Sequence, residues 1–178
     1  MKCWLLAVVA FLALLPARAA EDQDHRCFDD RAGVLSAAHK ASLRDACARA
    51  YKEGAGLMVV TLRSLDELNP RPLRLERLVE EMYEEWDIDY ERGRLGILLF
   101  VPVKEREFRV MLGDDYSESR RNLAVSLIRQ ILAPAARRNA IGAGICELQK
   151  AYLHRILLPQ VKEKKRKEKK RQPMITDD

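Results

Sequence analysis

The sequence predicts an α/β fold: a three-layer α/β/α sandwich with a small mixed sheet flanked by helices. Three observations predict it. Leu57–Leu62 and Leu95–Val101 are short, nearly unbroken apolar runs, as expected of strands buried on both faces. Between them Leu75, Leu78, Val79, Met82, Tyr83 and Trp86 recur at helical spacing. A third run, Glu107–Leu112, alternates apolar and polar after a turn at Pro102–Glu105. A helix between two buried strands makes a parallel pair, and a short turn makes the next strand antiparallel.

The elements follow in order. Residues 1–19 read as a secretory signal peptide: Lys2 supplies the positive start, Trp4–Leu15 the apolar stretch, and Ala17-Arg18-Ala19 the small-residue cleavage site. An uncleaved N-terminal anchor is the other reading. Residues 20–27 are polar and read as a loose segment. The domain is expected over 28–159. Asp30–Ser36 leads into a first helix, with Ser36 as N-cap and Leu43, Cys47, Ala50 and Tyr51 at helical spacing. Gly54 and Gly56 end it. Asn69-Pro70 and Pro72 mark a loop before the second helix, whose other face carries Glu80, Glu81, Glu84 and Glu85 and reads as solvated. Asp87–Arg94 is a polar loop. A third helix carries Leu123, Leu127, Ile128 and Ile131 and is expected to stop before Pro134. A fourth runs from about Asn139 to Leu157, and Pro159 is expected to close the domain.

The chain has 178 residues and a formal charge of +5. Lys162–Arg171 alone contributes +6, so the remainder is close to neutral at −1. Residues 160–178 therefore read as a basic, disordered tail on a neutral domain, and nucleic acid is not an expected partner. With no apolar face, the tail is either a solubilising segment or a means of holding the domain to an anionic membrane surface or a membrane protein complex.

Export places Cys27, Cys47 and Cys146 in an oxidising compartment, outside the cytosol or in a periplasm. Cys3 is expected to leave with the signal peptide, and the three cysteines that remain allow one disulfide and one free thiol. Cys27 leads into the helix that bears Cys47, so Cys27–Cys47 is the expected pair; Cys47 as a plain core residue is the alternative.

Catalytic patterns were tested residue by residue. The positions six after Cys27, Cys47 and Cys146 are Gly33, Glu53 and Tyr152, so none forms a Cys-x5-Arg phosphate cradle. Asp87-Ile88-Asp89 follows a helix, not the buried strand an aspartyl-phosphatase needs. His25, His39 and His154 lack zinc spacing. Four carboxylates remain. The antiparallel return brings Asp114 and Asp115 to the same edge as Asp87 and Asp89, where they either form a Ca²⁺ site or are solvated loop acids. At the opposite end Asp30 and Arg106 are expected to meet, as an ion pair, as a helix-cap contact, or at a ligand site.

In these residues the chain resembles the TPM domain family. The family's opening Asp-x-Ala-Gly-hydrophobic-Leu-Ser segment is matched by Asp30–Ser36. Its Gly-x-x-hydrophobic-Val-Val-Thr strand is matched by Gly54–Thr61, its helix-ending Trp by Trp86, and its Gly-Ile/Val-Leu-Leu strand by Gly96–Leu99. Arg106, Gly113, Leu132–Pro134 and Gly144-Ile145 match further landmarks. The sequence departs at Gly113-Asp114-Asp115-Tyr116-Ser117, where many members have Gly-x-Gly-x-Glu. The resemblance implies a role in membrane-protein or envelope maintenance, with calcium binding, as an exported accessory module. Its alternative implication is metal-dependent acid phosphatase activity on phosphomonoesters.

Overall fold

A computed structural model describes residues 27–68, 74–88 and 94–171. The signal-peptide reading, Asp89 and the last seven residues lie outside them. Four strands form one sheet in the order β1 (Phe28–Asp30), β2 (Leu57–Leu62), β3 (Ile97–Pro102) and β4 (Arg109–Leu112). β1–β2 and β2–β3 are parallel and β3–β4 is antiparallel. All six residues of β2 and all six of β3 are buried, which is why their sequences do not alternate.

β1 is a finding. The sequence places only a lead-in there, because three residues carry no periodic signal. The strand is fixed from outside: Val59 N–H donates to the Cys27 carbonyl at 3.1 Å, and a Cys27–Cys47 disulfide ties the strand's start to α1 (Ala37–Lys52). The expected disulfide is thus present, and among the described residues Cys146 is the free, buried thiol. Ser36 caps α1 as expected, but its reciprocal partner is His39. The Ser36 hydroxyl accepts the His39 N–H, and His39 Nδ1 accepts the Ser36 N–H.

Two apolar cores lie against the two sheet faces. Val59, Ile97, Leu99, Val101 and Leu112 face α1, α3 (Glu118–Leu127) and α5 (Ile141–Tyr152). Met58, Val60, Leu62, Leu98 and Phe100 face α2 (Leu75–Glu85), through Leu75, Val79 and Tyr83. Helices α1 and α2 therefore cover opposite faces, although each moves the chain one strand over in the same direction. The two crossovers have opposite hands, so one of them departs from the right-handed rule.

Both expected helix stops are overturned. α3 continues through a π turn, Ile128–Leu132, into α4 (Ala133–Arg137), which contains Pro134. α5 continues through a second π turn, Leu153–Leu157, into α6 (Leu158–Arg171), which contains Pro159. Each π turn ends two residues before a proline. A proline ring crowds the carbonyl four residues back and offers it no N–H, and a widened turn relieves that conflict. At Pro159 the carbonyl concerned belongs to Arg155, and it accepts a hydrogen bond from Arg120 Nη1 at 2.8 Å. Residues 160–171, expected to be a disordered tail, are accordingly helical. Gln160 and Val161 are buried, so the domain's packing extends beyond Pro159.

Candidate functional site

The edge bearing the acids forms where β3 starts and β4 ends. α2 terminates at Glu85, and Asp87 turns the chain with φ +46°. Ile88 then lies against the starts of β2 and β3, where a Cβ on Gly56 or Gly96 would run into the Ile88 carbonyl. The close approach at both glycines sets the loop directly on the sheet edge. Arg94 re-enters with φ +46°, and Gly113 follows β4.

Tyr83, Glu84, Asp87, Arg94, Met111, Gly113 and Asp114 line a cleft of about 210 Å³ at this edge. Asp87 and Asp114, both singled out by sequence, share it. Asp115 points elsewhere: its Oδ2 lies 2.8 Å from Lys164 Nζ of α6, and its carbonyl accepts from Gln160 Nε2 at 2.8 Å. Asp114 is ion-paired with the Arg94 guanidinium. Arg121 braces the end of β4 with one N–H to the Leu112 carbonyl and one to the Gly113 carbonyl, each at 2.7 Å. Two of the four predicted acids thus carry a cation from the protein itself. Among the described residues, no three His, Cys, Asp or Glu side chains stand close enough together to hold a metal ion.

Three participants escaped the sequence reading. Glu84 is exposed, as the solvated face of α2 predicts, and it also lines the cleft. Arg94 reads in the sequence only as the end of a polar loop. Lys164 sat in a segment expected to have no fold. Only its spacing of four from the buried Gln160, on one helical face, signalled otherwise.

At the opposite end, the Asp30 side chain is 3% exposed. Its carboxylate accepts from the Thr61 hydroxyl (2.8 Å), the Val34 N–H (3.0 Å) and the Leu35 N–H (3.1 Å). The cation beside it is Lys40, at 3.5 Å, which corrects the expected Arg106 pairing. Arg106 instead turns the β3–β4 hairpin with φ +58° and donates its N–H to the Pro102 carbonyl. Lys40 lies closer in sequence and projects back from the first turn of α1. Burial pushes the Asp30 carboxyl up, but Thr61, Leu35, Val34 and Lys40 outweigh it and hold the group below its ordinary value. The connections leave β1 and β2 toward opposite faces, the arrangement that opens a crevice in α/β sheets. Here Asp30 and the buried Thr61 fill that place as a structural knot.

Of the cysteines, two form the disulfide, and burial pushes the Cys146 thiol up. That disfavours the thiolate a nucleophile requires.

The comparisons agree with this architecture. The TPM domain model matches residues 28–153. The fold is similar to the solution structure of the N-terminal domain of a P. gingivalis protein. That match has a TM-score of 0.63 and 23% identity, and covers 83% of this chain and 91% of the other. It is also similar to the N-terminal domain of a protein from Corynebacterium glutamicum, with a TM-score of 0.56 and 15% identity, covering 82% of this chain and 86% of the other. No curated protein matches the chain.

Proposed function

The chain belongs to the TPM domain family, and on that premise we propose that it is an exported, non-catalytic accessory module that serves membrane-protein complexes or the cell envelope. Its basic C-terminal segment holds it to the membrane. The observation that carries this reading is α6. The helix is anchored by buried Gln160 and Val161 and by the Lys164–Asp115 and Lys165–Glu53 ion pairs, and its remaining bases are exposed. The Cys27–Cys47 disulfide supports an oxidising, extracytoplasmic setting.

A weak Ca²⁺ site at the acidic cleft belongs to the same reading. Asp87 and Asp114, which share the cleft, supply two of the hard oxygen donors this ion prefers, and water would complete its shell.

The test is affinity capture from membranes, using the mature protein with and without residues 162–178. Recovery of a membrane complex only by the longer form supports the proposal; equal recovery refutes the role of α6. The alternative, a metal-dependent acid phosphatase, would show as turnover of a generic phosphomonoester that disappears in Asp87→Asn.

A further inference from the structure

We infer that α6 presents one row of bases, Lys162, Arg166 and Lys169, as a preformed docking face for an anionic phospholipid surface. The inference rests on the reading above that this segment attaches the domain to a membrane. It adds which side chains make the contact and how the domain is turned.

The row follows from the helix. Gln160 and Val161 are buried, and Lys164 bonds to Asp115, which fixes the docked side of α6. At 3.6 residues per turn, Lys162, Arg166 and Lys169 fall together on the far side, about 10 Å from end to end. All three are exposed. Measured from the centre of this row, Glu163 lies about 90° away and Glu168 about 130°. Glu163 is occupied by Lys167 at 2.9 Å. Lys167 foremost, then Arg166 and Arg120, hold the Glu163 carboxyl below its ordinary value.

The row is also held in orientation. α6 is continuous with α5, a core helix, through the π turn Leu153–Leu157. It is pinned to the sheet edge by Gln160 on the Asp115 carbonyl and to the end of α1 by Lys165 on Glu53. The acids lie elsewhere in the fold. α2, on the other face of the sheet, carries Glu76, Glu80, Glu81, Glu84 and Glu85 against one arginine, Arg77. Opposite charge on opposite layers turns the basic layer toward an anionic plane and the acidic layer away from it. The row contains no apolar residue, so the contact is with headgroup phosphates and does not insert into the acyl region. The extracytoplasmic setting favours lipid over nucleic acid as the source of phosphate.

The experiment uses full-length mature protein and flotation with vesicles of phosphatidylcholine, alone or with phosphatidylglycerol. Two variants remove the same charge: Lys162→Gln with Arg166→Gln on the row, and Lys167→Gln with Arg171→Gln off it. Circular dichroism checks that both keep the helix. The row variant is expected to bind phosphatidylglycerol vesicles roughly tenfold more weakly or worse, at about fivefold per base near the surface, and the off-row variant to stay within about threefold. Equal losses would mean bulk charge without a face. That outcome overturns this inference and leaves membrane attachment standing. No binding by the unaltered protein overturns both. Equal binding to phosphatidylcholine alone, or tighter binding to a single-stranded RNA than to the vesicles, also overturns the inference.

Discussion

Arg120 donates a guanidinium N–H to the carbonyl of Arg155 at 2.8 Å, and that carbonyl is the one to which Pro159, four residues on, offers no N–H. The contact joins the first turn of α3 to the π turn before α6. It supplies a charged donor where the backbone has none, which is how a helix passes a proline and continues for a further 12 residues, Gln160–Arg171. Removing the donor should loosen that junction. Arg120→Ala is expected to cost about 1 kcal/mol in denaturant unfolding, the value of an ordinary hydrogen bond, because exposure removes the extra strength of a charged donor. It should also speed amide exchange in α6. Unchanged exchange there would show that the π turn alone carries the helix past Pro159.

Asp30 gives a pH dependence of defined sign. Its folded carboxyl lies below its ordinary value, so the unfolded chain binds the proton more readily. The stability it contributes is present above the unfolded carboxylate value, about 3.9, and is lost as pH falls through the folded value. Asp30→Asn places a donor before the Thr61 hydroxyl and the Val34 and Leu35 amides, which are donors themselves. The cost at pH 7 should be about 2 kcal/mol, within the range for leaving buried polar groups unsatisfied. The difference from the unaltered protein should shrink as the pH falls below the unfolded carboxylate value of about 3.9. A difference that stays constant down to pH 2 would contradict the assignment.

How far the sequence reaches is clear from particular elements. β2 and β3 are legible because six consecutive buried positions leave a nearly unbroken apolar run, interrupted in β2 only by the buried Thr61. α2 is legible because Leu75, Val79 and Tyr83 mark one stripe. β1 is not, since its three residues depend on a partner strand and on a disulfide from the adjacent Cys27 to a cysteine 20 residues on. The two prolines mislead for a shared reason: a π turn is a tertiary accommodation with no residue signature of its own. At the acidic edge, topology correctly brings Asp87 and Asp114 together. Charge type alone does not show that Asp114 faces Arg94 and Asp115 faces Lys164, because those cations arrive from a loop re-entry and from a helix that the sequence reading treated as unfolded.

The disulfide should matter more than the size of β1 suggests. It closes a loop across 20 residues of sequence and fixes the edge strand to α1. Reduction, or Cys27→Ala with Cys47→Ala, should lower stability by about 2–4 kcal/mol. In the oxidised protein without residues 1–19, which carry Cys3, thiol reagents should react slowly, because Cys146 is buried, and should find one thiol only after unfolding. Two further thiols should appear after reduction. Three thiols in the unreduced, unfolded protein would show that the pair does not form.

The cleft offers the sharpest test of the Ca²⁺ proposal, because the protein places its own cation there. Asp114 is held by Arg94, so an incoming ion competes with a guanidinium for one of its best donors. Binding should be weak, near the 10⁻⁴ to 10⁻³ M of extracellular modules, or roughly so. Ca²⁺ in excess should raise the melting temperature, with about 2.7 kcal/mol as the gain at 100 times the dissociation constant. Mg²⁺ should do less, since it gives up its waters reluctantly. Arg94→Gln should then tighten Ca²⁺ binding, because it frees Asp114 and removes a positive charge from the lining, whereas Asp114→Asn should abolish it. A site built from the arginine would respond in the opposite sense. Trp86, which immediately precedes Asp87, gives an optical readout independent of melting. If millimolar Ca²⁺ moves neither signal in the Arg94→Gln protein, the acids of this edge serve as partners for Arg94 and Lys164 and do not form a metal site.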